Sequence, residues 1–298
     1  MRYNEDVLQS WTSPLSKTEE QRVKNAINMI KSAVINQVQL KDFDVEVFAQ
    51  GSYANNTNVR QESDVDVCIM LKSAFFCNYV EGKNGLDYGH IDSNIKYSQY
   101  KEYVIDSITQ KFGTQSIKVK NKSVNVASNS YRINADVIPA FQYSDFRVIN
   151  SIDSSEYIEG IKFFASDGTE VINYPKIHIC NSRQKNIDTN YQYKKLVRIM
   201  KHIRNNMLDD DIVDGDRITS FLIECLVWNV PNEIIMLGTT WEETIERTIL
   251  YLYDNFKNNK FLKFKEVSGY LDLFNETRKW TVVDVQHFLI CAYSYLEF

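Results

Sequence analysis

Glycine and proline are scarce, at ten and four in 298 residues. That leaves little room for long flexible linkers and favours one large domain or two lobes sharing a core. Cysteine is thin as well. Cys68, Cys77, Cys180, Cys225 and Cys291 are scattered, odd in number and without C-x-x-C spacing, so free thiols in a reducing cytosol are expected rather than disulfides or zinc. His178 and Cys180 stand close together, but no second Cys/His pair follows to complete a tetrahedron. A basic excess is missing too. The formal net charge is −5, whereas a protein gripping a long duplex neutralises phosphate with many Lys and Arg side chains. The opening MRYNEDVLQSW lacks the apolar core of a signal peptide. The longest apolar run, Phe221 to Val230, is interrupted by Glu224 and falls far short of a membrane span. A soluble, cytoplasmic protein with no membrane partner is expected.

What is present is an ordinary globular composition, 44% hydrophobic and 24% charged, which argues against disorder. One stretch organises the rest. Val45-Glu46-Val47-Phe48-Ala49 alternates with the period of a strand. It ends at Gln50-Gly51-Ser52, where glycine permits a tight turn that brings backbone N–H groups to a ligand. Beyond a polar connection, Ser63-Asp64-Val65-Asp66 opens a second, apolar strand through Leu71. Residues i and i+2 share a strand face, so Asp64 and Asp66 point the same way. Two carboxylates side by side repel unless a cation sits between them, and a hard oxygen-ligated ion such as Mg²⁺ meets that need.

Elsewhere the pattern predicts a long helix over Thr18 to Val38, introduced by Ser16-x-x-Glu19 or Thr18-x-x-Gln21. It predicts a loop over Phe75 to His90, a helix over Ile91 to Phe112, and a hairpin of Ser116 to Lys120 with Ser123 to Val126. Tyr131 to Phe141 reads as another strand, and Arg147 to Thr169 as a further hairpin or loop. After Pro175 the character turns helical. Tyr191 to Met207 carries Lys194, Arg198 and Lys201 along one face, either a solvated stripe or a reach toward triphosphate. Ser220 opens a helix whose N-terminus it caps and which favours anions. Thr281-x-x-Asp284 caps the last helix.

Strand, Gly-Ser, polar connection and Asp-x-Asp together resemble the signature of the polymerase-β-like nucleotidyltransferases. That superfamily requires a third carboxylate on a neighbouring strand, and Asp136 in Ala135-Asp136-Val137-Ile138-Pro139 matches it. More of the chain resembles the bacterial cGAS/DncV-like nucleotidyltransferases of antiphage (CBASS) signalling, and within them the CdnE group. The residues carrying this are Gln50-Gly51-Ser52-Tyr53, Thr57-Asn58-Val59-Arg60 and Ser63 to Asp66. They continue with Val171 to Pro175, Leu196 to Lys201 and Ser220 to Val227.

The resemblance implies an α+β, bilobal fold with the active site in a cleft. A mixed-sheet catalytic lobe with a long spanning helix would cover residues 1–180, and a helical lobe residues 181–298. It implies an enzyme that makes a cyclic dinucleotide from UTP, CTP or ATP with release of pyrophosphate. Asp64, Asp66 and Asp136 would hold two Mg²⁺ ions, with Mn²⁺ as a substitute. Gln50, Gly51, Ser52, Lys201 and Ser220 would line the triphosphate, and Phe221 would stack on a base. Asn173, in an Ile-Asn-aromatic-Pro segment, and Arg278-Lys279-Trp280 match elements of pyrimidine-selecting members, so cyclic di-UMP, another cyclic dipyrimidine or cyclic UMP-AMP is the expected product. Asn173 also reads as a turn residue before Pro175, and Trp280 as an anchor for the last helix. A monomer is expected, with a separate effector protein sensing the product. Unlike the animal relatives the chain is acidic and has no zinc cluster, so no duplex nucleic-acid activator is expected. The alternatives are a nucleotidyltransferase acting on RNA or a small acceptor, and a non-catalytic nucleotide-binding module.

Overall fold

A computed structural model describes residues 1–59, 64–150 and 153–298, so Arg60 and Ser63 of the motif lie outside the described residues. The chain opens with α1 (Glu5–Trp11) and α2 (Lys17–Ile35), then β1 (Val45–Gln50), the single-turn α3 (Gly51–Asn55) and β2 (Val65–Asn78). Next come α4 (Tyr97–Phe112), β3 (Ile117–Val119), β4 (Val124–Val126), β5 (Ala135–Asp145), β6 (Ile158–Phe164) and β7 (Glu170–Asn173). Helices α5 (Pro175–Asp188), α6 (Tyr193–Asp209), α7 (Ser220–Trp228), α8 (Asn232–Leu237), α9 (Trp241–Lys257) and α10 (Val282–Tyr295) complete the α+β fold. No helix among the described residues is long and apolar enough to cross a membrane.

The chain divides into two compact units. Among the described residues, the sheet unit comprises Ser16–Ala54, 64–150 and 153–176, and the helical unit comprises Met1–Leu15, residues 55–59 and Ile177–Phe298. Two segments read from sequence as part of the sheet lobe, α1 and the stretch after α3, therefore pack with the helices.

In the sheet unit the strand order is β1-β2-β5-β4-β3, with β6 beside β5 and β7 beside β6. β2 and β5 run parallel with Asp66 in register with Asp136, while β1 runs antiparallel to β2 with Gln50 opposite Asp66. Opposed residues share a sheet face. One face therefore carries Val65, Val67, Ile69, Val124, Ala135 and Val137, each fully buried. Tyr100 of α4, itself fully buried, donates its hydroxyl to Ile69 O at 2.9 Å on that face. The other face carries Asp66 and Asp136 at one end and then Cys68, Met70, Ile138, Ala140 and Ile161, which cluster together.

Several expected boundaries move. β2 extends through the predicted loop to Asn78, because Phe75 to Asn78 pair with Gln142 to Asp145 of β5 beyond a register shift. β5 starts later than predicted and runs on to Asp145, since β6 gives its second half an edge to pair with. Ser16, not Thr18, caps α2, accepting from Glu19 N.

The helical unit is built on α6, whose Leu196, Val197, Ile199, Met200 and Ile203 are essentially without solvent contact. The expected basic stripe on this helix is not a solvated face. Arg198, Lys201 and Arg204 are buried at 5%, 2% and 7% exposure. A buried cation survives only with partners, and each has them. Arg198 Nε donates to Thr12 O at 2.8 Å and its Nη1 reaches Asn56 O, while Arg204 Nη2 donates to Gly215 O at 3.0 Å.

Candidate active site

Asp64, at the threshold of β2, and Asp66 within it point to the same face as Asp136, which β5 presents alongside. Register sets Asp66 beside Asp136, and Asp64, just ahead of the paired residues, is joined to Asp136 through Lys120 and Asn125. Lys120 Nζ bridges two of the three carboxylates, 3.1 Å from Asp64 Oδ2 and 3.0 Å from Asp136 Oδ1. Asn125 Nδ2 donates to the same two oxygens at 3.0 and 2.8 Å. Burial, then the charges of Asp136 and Asp64, push the Asp66 carboxyl up to about 7, and Lys120 offsets this only in part. For Lys120, burial works against the charge, but hydrogen bonds to Asp136 and Asp64 outweigh it and raise the ammonium above its ordinary value.

Gly51 begins α3 with φ +70°, and a Cβ there would run into the Asp66 carboxylate. Only glycine supplies both the left-handed backbone and the clearance. Gln50 Oε1 is buried with no hydrogen-bond partner among the described residues, an acceptor left open beside the acids. Ser52 follows on the same short helix, half-buried.

The residues fit a divalent cation. Three carboxylates facing a single ammonium leave negative charge uncompensated, and hard oxygen donors are what Mg²⁺ or Mn²⁺ takes. As they stand, no three Asp, Glu, His or Cys groups among the described residues close into a metal cage, and Lys120 Nζ stands between two of the acids.

The remaining predicted residues separate. Asn173 ends β7 opposite Ile161, which places it on the acid-bearing face of the sheet, half-buried before the buried Tyr174. The other five belong to the helical unit. There Lys201 Nζ is enclosed, 2.7 Å from Glu224 Oε2 and 3.2 Å from both Thr57 O and Thr57 Oγ1. Thr57 Oγ1 donates to the same Glu224 oxygen at 2.8 Å, and His178 Nε2 lies 3.0 Å from the other. Burial alone would raise the Glu224 carboxyl, but Lys201 and His178 together hold it well below the carboxylate range.

Phe221 is the hub of a second cluster. Its ring centroid lies 5.9 Å from His178 and 6.2 Å from Trp280, with the Arg278 guanidinium 5.4 Å above it. Arg278 is tied to buried Glu266, Nε donating to Oε1 at 2.6 Å, and also lies 5.6 Å from the Trp280 ring. Trp280 Nε1 donates to Leu273 O at 2.9 Å, so its indole anchors the approach to α10. Thr219, not Ser220, caps α7, accepting from Leu222 N at 3.1 Å. Ser220 is the first helical residue and is exposed.

Lys120, Asn125, Thr57, His178, Glu224 and Glu266 were not among the residues expected at the site. Two left a trace in the sequence. Glu224 is the lone acid in the longest apolar run, a mark of a buried charge with a partner. Lys118-x-Lys120 alternates on the hairpin, which places both on one face.

Residues 180–297 match the family model of the cGAS/DncV-like nucleotidyltransferase C-terminal helical domain, and residues 29–127 match that of the nucleotidyltransferase domain. A cyclic dipyrimidine nucleotide synthase CdnE of Cecembia lonarensis is 38% identical over 298 residues, covering 100% of this chain and 99% of the relative. A cyclic GMP-AMP synthase of Staphylococcus schleiferi is 32% identical, with 100% and 98% covered. Among solved structures, the Rhodothermus marinus CdnE c-UMP-AMP synthase with Apcpp and Upnpp superposes at a TM-score of 0.85, with 28% identity, 99% of this chain covered and 97% of that one.

Proposed function

The chain belongs to the cGAS/DncV-like nucleotidyltransferases, in their CdnE-like group, and from that membership we propose that it condenses two nucleoside triphosphates into a pyrimidine-containing cyclic dinucleotide. The observation that carries the chemistry is the register of β2 and β5. It sets Asp66 beside Asp136 on one face, with Asp64 two residues before Asp66 and Gly51 packed against its carboxylate. Asp64, Asp66 and Asp136 would hold Mg²⁺, which would supply charge screening and lower the pKa of the attacking ribose hydroxyl. The chain's own part is placement. The acids fix where the reacting phosphate sits, and the N–H groups opening α3 and the Ser52 hydroxyl face phosphate oxygens. Lys201 serves differently from the expected triphosphate ligand, since Glu224 and Thr57 enclose its ammonium.

Base choice is not settled by membership, because the relatives named above make dipyrimidine, GMP-AMP and UMP-AMP products. Asn173 supports a uracil reader. Its amide offers a donor and an acceptor to a pyrimidine edge, and it lies on the sheet face that bears the acids. The product, cyclic di-UMP, another cyclic dipyrimidine or cyclic UMP-AMP, would act through a separate effector in antiphage signalling.

The test is incubation of purified protein with each labelled NTP and Mg²⁺, followed by phosphatase. A cyclic product keeps its label because it has no terminal phosphate, and D66N makes none. A product that phosphatase trims, so that its mobility changes as terminal phosphates leave, would overturn cyclisation, and activity persisting in D66N would overturn the assigned acids.

A further inference from the structure

Two of the three acids already hold a cation, and it belongs to the chain. Lys120 Nζ donates to Asp64 Oδ2 at 3.1 Å, Asp136 Oδ1 at 3.0 Å and Asp136 Oδ2 at 3.1 Å. An ammonium has three donors, and these two carboxylates accept all of them. A divalent ion needs the same lone pairs, bound at roughly 2.0–2.1 Å for Mg²⁺, and an ammonium in contact with the same oxygens would repel it. The two cations compete for one place.

The surroundings allow Lys120 to give way. It follows the last residue of β3, Val119, and its side chain is 38% exposed. Asn125 makes the same two contacts but is pinned on β4 directly opposite Asp136. As a neutral amide it has no reason to be expelled. Asp66 accepts no hydrogen bond from Lys120, so the ammonium satisfies the rim of the acid cluster and leaves the inner carboxylate for a stronger cation.

We propose that Lys120 is an exchangeable counter-cation, holding Asp64 and Asp136 in the metal-free protein and leaving them when a divalent ion binds. The inference rests on reading the three acids as the metal site. It makes Lys120 a positioning residue that keeps the cluster assembled between turnovers and weakens metal binding as it does so.

The experiment titrates metal-free wild type and K120M with Mn²⁺ alone, without nucleotide, following the free ion by electron paramagnetic resonance, and records melting of the metal-free proteins. K120M should bind Mn²⁺ roughly tenfold more tightly, because no charge-assisted hydrogen bonds have to be broken first. It should also melt lower than wild type before metal is added. Equal or weaker Mn²⁺ affinity in K120M overturns the exchange and leaves the metal site standing. Failure of wild type to bind Mn²⁺, or binding unaffected by D136N, overturns the metal site and the exchange with it. Should K120M not fold, wild type answers alone. Acylation of Lys120 by an amine-reactive reagent, followed by peptide mass spectrometry, should quicken several-fold on adding Mn²⁺, and an unchanged rate overturns the proposal.

Discussion

Replacing Glu224 by glutamine keeps the shape of the side chain and removes one charge from a network that admits almost no water. Glu224 and Lys201 side chains are 4% and 2% exposed, with 2.7 Å between their charged atoms. In E224Q the Lys201 ammonium loses its counter-charge and is left with neutral oxygens alone, and the amide has one acceptor oxygen where the carboxylate offered two to Lys201, Thr57 and His178. Breaking a buried pair by removing one partner costs about 3–5 kcal/mol, because the remaining charge stays desolvated. For a chain of this size that corresponds to a fall of roughly 10 °C in melting temperature. The pH dependence carries a sign. The folded-state pKa of Glu224 is depressed, with burial opposing and Lys201 and His178 prevailing. Its contribution is therefore present above the unfolded-state value and is lost as pH falls through the folded one. The gap between wild type and E224Q, read from urea unfolding monitored by circular dichroism, should narrow on acidification. The double variant K201M/E224L, which removes both charges, should recover much of the loss. An E224Q protein unfolding at the wild-type urea concentration, or a double variant weaker than either single one, would mean that the buried pair does not carry this stability.

Other outcomes follow from the sheet unit. The Asp66 carboxyl is raised to about 7, chiefly by burial and then by its acidic neighbours. In metal-free wild type the stability it contributes is present below the unfolded value and lost as pH rises through about 7. D66N should escape that loss and be more stable at pH 8, by roughly 2–4 kcal/mol in denaturant titrations. Gly51→Ala forces a side chain into the left-handed region and onto Asp66, costing roughly 2 kcal/mol or more. It should also abolish the labelled product, and a variant with wild-type turnover would remove Gly51 from the site. Asn173→Ser, which withdraws a donor–acceptor pair, should lower kcat/KM for UTP about tenfold while sparing ATP. An unchanged ratio would take Asn173 out of base reading.

What could be read from residues alone was what repeats locally. The alternation of Val45 to Ala49, the glycine needed at the turn, the i, i+2 spacing of Asp64 and Asp66 and the Thr281–Asp284 cap all depend on neighbours a few positions away. Those features placed three of the site's elements before any fold was known. The limits of β2 and β5 were misjudged because strand length depends on the partner, and Phe75 to Asn78 are strand only beside Gln142 to Asp145.

The chemistry around charges lay further out of reach. Lys194, Arg198 and Lys201 recur at helical spacing, and nothing nearby says whether water or protein will meet them. Arg198 and Lys201 meet Thr12, Asn56, Thr57 and Glu224, in segments far along the chain, and that decides their burial. Lys120 could be assigned to a face of its hairpin, but not to the acids, because only the strand order lays β4 against β5 and turns that face toward Asp136. Backbone periodicity is a property of consecutive residues and is therefore written in the chain. The environment of a charged group is a property of whatever the fold carries to it, and that was decided only when the strands and helices packed.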